Sequence, residues 1–232
     1  MSPRDHDIRP DRPGSIRRMF TDLAPDYDRL NGVLTLGQVA RWRRAMVRAA
    51  GIRRGHRVVD VCAGTGASLA AVREMIGAEG LAVGVDFTSA MLARATGHRV
   101  LGDALRLPFG DGVFNAAVSA FALRDVADQR ACVAEMVRVT RPGGGVAILE
   151  VGRPRRQPLR AGFDLWFRGA VPRIGAAFGQ GEAHRFLARS IAYLPEPDAI
   201  LDMMRELGLV DVETRDLTLG AARVFRGRLT TG

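Results

Sequence analysis

The chain has 232 residues, 47% hydrophobic and 25% charged, which suits one α/β domain of ordinary size and argues against wholesale disorder. No apolar run approaches the roughly 18 residues needed to cross a bilayer, and the opening MSPRDHDIRPDRPGS has no apolar stretch of the kind a secretory signal carries. The formal net charge is +9, carried wholly by arginine; either a GC-rich genome or an acidic partner (nucleic acid, anionic membrane, anionic ligand) accounts for it.

Residues 1–14 are expected to form a flexible tail and residues 15–50 a helical cap. In SIRRMFTDLAPDYDRLN, Ile16, Met19, Phe20, Leu23, Tyr27 and Leu30 recur mostly every three or four residues, and LGQVARWRRAMVRAA is a second helix that stops at Gly51. The pattern then changes. RVVDVC (57–62) reads as a buried strand, GASLAAVREMIG as a helix and LAVGVDF as a second strand. SAMLARAT is a helix that Ser89 or Thr88 can cap. HRVLGDA holds a short third strand and FNAAVSAFAL a fourth. The helix of DQRACVAEMVRVTRPGG is closed by Pro-Gly-Gly, and GVAILEVG is a fifth strand. Strands alternating with helices give a parallel sheet covered on both faces. Beyond 152, AGFDLWFRGAVPRIG and EPDAILDMMRELGL are helical, and the last two strands form a hairpin at Gly220. Cys62 and Cys132 are too few for a disulfide framework or a zinc cluster and read as small buried apolar residues.

The junction RVVDVCAGTGAS carries the chemistry. Ligands of open parallel sheets bind beyond the carboxyl ends of the strands. At Gly64-Thr65-Gly66 no Cβ stands between backbone and ligand, and the next helix aims its first amides there. A dinucleotide fingerprint asks for a third glycine, where this chain has Leu69. Asp60, just before the turn, repels a pyrophosphate but attracts an ammonium group. S-adenosylmethionine has an ammonium and no phosphate. Asp86, at the end of the second strand, suits two ribose hydroxyls, and Asp103 suits an adenine amino group, with the Ala104 and Leu105 backbone at the ring edge. The remaining expected cofactor contacts are Phe87, Met91, Ser119 and Ala120.

Longer segments carry a closer likeness: MFTDLAPDYDRLNGVLTLG, VVDVCAGTG, VDFTSAMLARA, GDALRLPFGDGVFNAAVSAFALRDV, MVRVTRPGGGVAILEVGRP and FLARSIAYLPEPDAILDMMRELGL. Over roughly residues 19–228 the chain resembles the ubiquinone/menaquinone biosynthesis C-methyltransferases, a class I S-adenosylmethionine-dependent family. It departs from the family pattern at Ala67, Ala120, Ala122 and Asp125, the last where the family commonly has Asn, and at His184-Arg185-Phe186-Leu187. The resemblance implies a Rossmann-like α/β fold over 51–232, with a mostly parallel seven-stranded sheet, a C-terminal antiparallel strand and a lid insertion at about 153–195. It implies methylation of a quinol ring carbon, demethylmenaquinol to menaquinol or its ubiquinol-pathway equivalent. A methyltransferase of secondary metabolism acting on a soluble phenol, polyketide or sugar is the alternative. From another class come a nucleic-acid-binding protein, which would use the +9 charge, and a non-catalytic methyltransferase-like protein.

Carbon methylation needs a ring activated by loss of a hydroxyl proton, and no metal. The family pattern implies that Arg124, Asp125 and Tyr27 handle that proton. Arg124 stabilises the phenolate, Asp125 acts as base or merely neutralises Arg124, and His184 is an alternative base. The expected partners are a prenylated quinol or other aromatic small molecule, a second copy of the chain and a peripheral membrane surface, with no nucleic acid. The expected location is cytoplasmic, at the inner face of the membrane. Trp42 with Arg41, Arg43 and Arg44, and Trp166 with Phe163, Phe167 and Arg168, are candidates for touching the bilayer; ordinary amphipathic packing is the other reading.

Overall fold

The computed structural model describes residues 13–154, 156–171, 173–174, 186 and 190–231. In chain order these form α1 (Pro13–Leu23), α2 (Tyr27–Leu34), α3 (Val39–Ala49), β1 (Arg57–Val61), α4 (Ala67–Ile76), β2 (Leu81–Asp86), α5 (Ser89–Leu92), β3 (His98–Leu101) and β4 (Phe114–Ala120). There follow α6 (Gln129–Val139), β5 (Thr140–Val151), α7 (Leu159–Leu165), α8 (Pro197–Glu206), β6 (Leu209–Leu217) and β7 (Ala222–Leu229). The seven strands make one sheet in the order β3-β2-β1-β4-β5-β7-β6. The first five are parallel, and β7 inserts antiparallel to both β5 and β6. The expected α/β architecture is thus the observed one.

The buried strands explain the near-continuous apolar runs. Along β1, side chains alternate between faces. Val59 and Val61 join the core under α6 and α8, whereas Val58 joins the core under α3 and α4. Asp60, two residues after Val58, shares that second face and is buried at 1% exposure. Among the described residues no helix is long and apolar enough to cross a membrane.

Four boundaries differ from the sequence expectation. The first expected helix is two helices, because Pro25 disfavours helical geometry at Ala24 and the chain turns before restarting at Tyr27. The helix expected to run from Asp128 to the Pro-Gly-Gly stops at Val139. Thr140 already pairs with Phe114, and the ladder then jumps to Ala116 with Gly145, leaving Arg141 to Gly144 as a bulge. The segment 89–96 is regular only to Leu92; Arg94 and Ala95 continue with tighter bonds to Met91 and Leu92 carbonyls. Finally, α7 begins at Leu159 and passes into a π-helical turn, Trp166–Ala170.

Candidate active site

Three positive φ angles bend the chain out of β1: Cys62 (58°), Gly64 (55°) and Gly66 (80°). Gly66 is the N-cap of α4, and a Cβ there would lie 2.9 Å from Ala95 Cβ, so both its conformation and its space demand glycine. Leu69, in place of a dinucleotide fingerprint's third glycine, is fully buried. Gly84 of β2 makes room for it, since a Cβ at Gly84 would come within 2.7 Å of Leu69 Cδ1. Asp86 ties the ends of β1 and β2 together: its Oδ2 accepts the Gly64 N–H at 2.9 Å and its Oδ1 accepts the Thr88 N–H at 2.8 Å. Burial raises the Asp86 pKa and these amides pull it back. Thr65 Oγ1 donates to Asp28 Oδ1 at 2.8 Å, fastening the turn to α2.

Beyond the strand ends lies a cavity of about 240 Å³. Ten expected site residues line it: Tyr27, Gly64, Asp86, Phe87, Met91, Asp103, Ala104, Leu105, Ala120 and Asp125. Asp60, Thr65, Gly66 and Ser119 are outside its lining; Ser119 Oγ donates to the Val61 carbonyl at 2.8 Å instead. Three residues of α1 close one side: Ile16 and Phe20, which sequence reasoning assigned only to the helix's apolar stripe, and Arg17, which it did not single out, with the Arg17 guanidinium carbon 5.1 Å from the Phe87 ring centroid. Their three- and four-residue spacing looks the same whether the helix covers a core or a cavity.

A second cavity of about 190 Å³ shares Tyr27 and Phe121 with the first. Its walls are largely apolar, including Leu34, Leu36, Val39, Phe163, Trp166 and Val171, and Arg124 reaches it. The two chambers therefore meet at Tyr27 and Phe121, with Asp125 facing one and its neighbour Arg124 the other.

Arg124 is buried at 5% exposure. It donates from Nη1 to Glu150 Oε2 at 2.6 Å and from Nε to Ser190 Oγ at 3.0 Å. Burial works against its charge, but the Glu150 and Asp125 carboxylates hold its pKa above the ordinary value. Glu150, fully buried, also accepts the Leu123 N–H at 2.8 Å. It was not singled out from the sequence, although an acid inside the apolar strand GVAILEVG was the available signal. Asp125 Oδ1 lies 4.0 Å from Arg124 Nε, and neither Asp125 oxygen has a hydrogen-bond partner. Burial pushes its pKa up to about 7, against the pull of Arg124 and with a push from Glu150. Burial raises the Tyr27 phenol too, opposed by Arg43 and Arg124. Asp60, also without a hydrogen-bond partner, is pushed to about 7 by burial, lowered by Arg43 and raised by Asp86.

Trp42 does not face a membrane. It is buried at 6% exposure and its Nε1 donates to Thr218 Oγ1 at 2.8 Å, so the α3 stripe packs on the sheet. Trp166 is half-buried and donates to the Leu34 carbonyl at 3.2 Å. His184, most of the expected tail, and the side chains of Phe167 and Arg168 lie outside the described residues.

The parallel sheet with an inserted antiparallel β7 and a glycine turn after β1 is the architecture of class I S-adenosylmethionine-dependent methyltransferases. A solved methyltransferase of this kind from Aquifex aeolicus superposes with a TM-score of 0.62 at 13% identity, over 88% of this chain and 98% of that one. Residues 8–228 match the ubiE/COQ5 methyltransferase family, and the chain belongs to it. The demethylmenaquinone methyltransferase of Roseiflexus castenholzii is 43% identical, covering 91% of this chain and 92% of its own. The ubiquinone/menaquinone biosynthesis C-methyltransferase UbiE of a Geobacter species is 36% identical over 91% of this chain and 95% of its own. The protein is an S-adenosylmethionine-dependent methyltransferase.

Proposed function

We propose that this methyltransferase acts on a ring carbon of demethylmenaquinol, giving menaquinol and S-adenosylhomocysteine. The observation that carries the reading is the meeting at Tyr27 and Phe121 of a cavity bearing Asp86 and Asp103 with a largely apolar one, beside a buried carboxylate without a hydrogen-bond partner, Asp125. Family membership and the relatives' names support it.

The donor set fits S-adenosylmethionine, which supplies an electrophilic methyl group. Asp86 keeps a second lone pair on each oxygen after accepting two amides, enough for two ribose hydroxyls. Asp103 takes the adenine amino group with the Ala104 and Leu105 backbone at the ring edge, and Phe87 and Met91 flank the nucleoside. Gly64, Thr65 and Gly66 shape the turn against which it rests, and Ser119 and Ala120 shape the wall at the end of β4. Asp60, a buried acid without a hydrogen-bond partner, takes the ammonium.

Asp125 accepts the quinol hydroxyl proton. Because Glu150 already pairs with Arg124, Asp125 is not consumed in neutralising it. Arg124 stabilises the resulting phenolate and Tyr27 orients the hydroxyl. Bound S-adenosylmethionine would supply its electrophilic methyl group to the activated ring carbon; the hydrogen displaced from that carbon would leave as a proton to water, and the proton held by Asp125 would return to the product oxygen. The apolar second cavity holds the prenyl side. Leu36 lines it, and Leu165 and Leu219 are chain neighbours of its lining residues Trp166 and Thr218; these leucines are 74%, 76% and 74% exposed, apolar surface suited to peripheral membrane contact.

Single-turnover incubation with methyl-labelled S-adenosylmethionine and a reduced short-tailed demethylmenaquinol, read by mass spectrometry, tests the proposal. A product carrying the label on ring carbon is expected. No product from the quinol, together with methylation of a soluble phenol, would overturn it.

A further inference from the structure

Ser190 comes from far along the chain to meet Arg124. Four residues before it, Phe186 is buried with Ile16, Met19 and Leu23 of α1. Directly after it, a 3₁₀ turn, Ile191–Tyr193, is fastened to α6, since the Tyr193 carbonyl accepts Gln129 Nε2 at 2.8 Å. Held on both sides, the fully buried serine accepts the Arg124 Nε–H on its Oγ at 3.0 Å. Nε carries a single hydrogen. Asp125 Oδ1 lies 4.0 Å from that same nitrogen, beyond hydrogen-bond reach. The serine and the aspartate therefore flank one donor, and the serine has it.

A direct bond from Arg124 to Asp125 would hold the carboxylate ionised and make it a weaker base. Glu150 already offsets the guanidinium charge at 2.6 Å. A neutral hydroxyl can then satisfy Nε without bringing a second negative charge into contact with the pair. We propose that Ser190 is a positioning residue: by taking the one Nε–H of Arg124 it keeps the arginine from bonding Asp125, and so leaves Asp125 open to the hydroxyl proton of the quinol. The inference rests on Asp125 being the base of the proposed reaction. It gives the segment around Ser190, which lines neither cavity, a part in the chemistry. The other titratable or charged groups acting on Asp125 or sharing its cavity wall are Glu150 of β5, Tyr27 of α2, Cys62 after β1, Arg17 of α1, and Asp86 and Asp103 beyond β2 and β3. Arg124 is the cation nearest to it by the distances above, so its hydrogen bonding is the variable that Ser190 controls.

Carbon-13 NMR of the aspartate-labelled chain tests this without turnover, following the Asp125 carboxyl carbon, assigned by its loss in Asp125→Asn. In the parent it should titrate near pH 7. Ser190→Ala frees the Nε–H for Asp125, and the midpoint should fall by about one pH unit or more. Ser190→Cys fills nearly the same space with a weak acceptor, so the midpoint should move the same way by less, a second reading should the alanine variant fail to fold. The rising limb of kcat/KM against pH should move down in step, its plateau should drop several-fold, and S-adenosylhomocysteine binding by calorimetry should stay unchanged. In an Asp125→Asn background, Ser190→Ala should cost no further rate. An unmoved Asp125 midpoint in both serine variants would overturn the proposal. So would a fall in kcat/KM that is uniform at every pH, because that is what a purely structural serine would give. A moved midpoint in a chain that methylates no quinol would reject the quinol as substrate and still support the control of Asp125 by Ser190.

Discussion

Replacing Asp125 by Asn probes the chemistry and the electrostatics of the site together. Asp125 is 8% exposed, and its nearest ion-pair atom, Arg124 Nε, is 4.0 Å away on a guanidinium already bound to Glu150. Burial therefore dominates and lifts its pKa from the ordinary 3.8 to about 7. Between those two values the native state holds a proton that the unfolded chain has released. Stability consequently falls as pH rises through the interval, by about 1.4 kcal/mol per pH unit and about 4 kcal/mol in all. Below the interval the penalty is absent, and above it the penalty is constant. Asn has nearly the same shape and no charge at any pH. The stability advantage of Asp125→Asn over the parent is thus expected to grow by about 3 kcal/mol between pH 5 and pH 8. Urea unfolding at a series of pH values measures it, and subtracting the two proteins cancels the titration of groups distant from the substitution. In the parent, kcat/KM should rise through about pH 7 as Asp125 loses its proton. The variant should lack that limb and lose about 10²-fold in rate. A stability difference that stays flat from pH 5 to pH 8 would refute the reasoning.

Glu150→Gln leaves Arg124 buried without its anionic partner, so unfolding should occur with about 3 kcal/mol less stability, seen by denaturant titration, and methyl transfer should slow in parallel. Gly66→Ala forces a side chain into φ 80° and against Ala95; a loss of about 1–3 kcal/mol and weaker S-adenosylhomocysteine binding by calorimetry are expected. Trp166→Ala should raise KM for a long-tailed quinol several-fold while sparing a tail-less analogue, measured by steady-state kinetics, because Trp166 lines only the apolar chamber. Changing Leu165 and Leu219 together to Ser should reduce co-sedimentation with anionic vesicles several-fold without altering turnover of a soluble quinol, since both are exposed and neither lines a cavity.

Local patterns determined much of this protein. Apolar runs such as Arg57–Val61 and Leu81–Asp86 announced buried parallel strands, and Gly64-Thr65-Gly66 announced the sharp turn after β1, because side-chain period and positive φ are properties of a few neighbouring residues. That Asp86 and Asp103 border the cavity was legible for the same reason: each stands at or just beyond the end of a strand, and the cavity of a parallel sheet lies beyond its strand ends. What the tertiary structure decided is who meets whom. Helical spacing showed that α3 has a buried stripe but not that Trp42 and Arg43 belong inside it, buried against the protein rather than turned to a bilayer. The end of α6 at Val139 was set by the pairing of Thr140 with Phe114 in a different strand, not by the Pro-Gly-Gly that follows. Arg124 meets Glu150 and Ser190 across 26 and 66 residues of chain, while Asp125, 4.0 Å from Arg124 Nε, has no hydrogen-bond partner. Burial and charge pairing depend on distance in space, so the groups whose ionisation matters most acquire their properties only when strands and helices far apart in the chain are packed together.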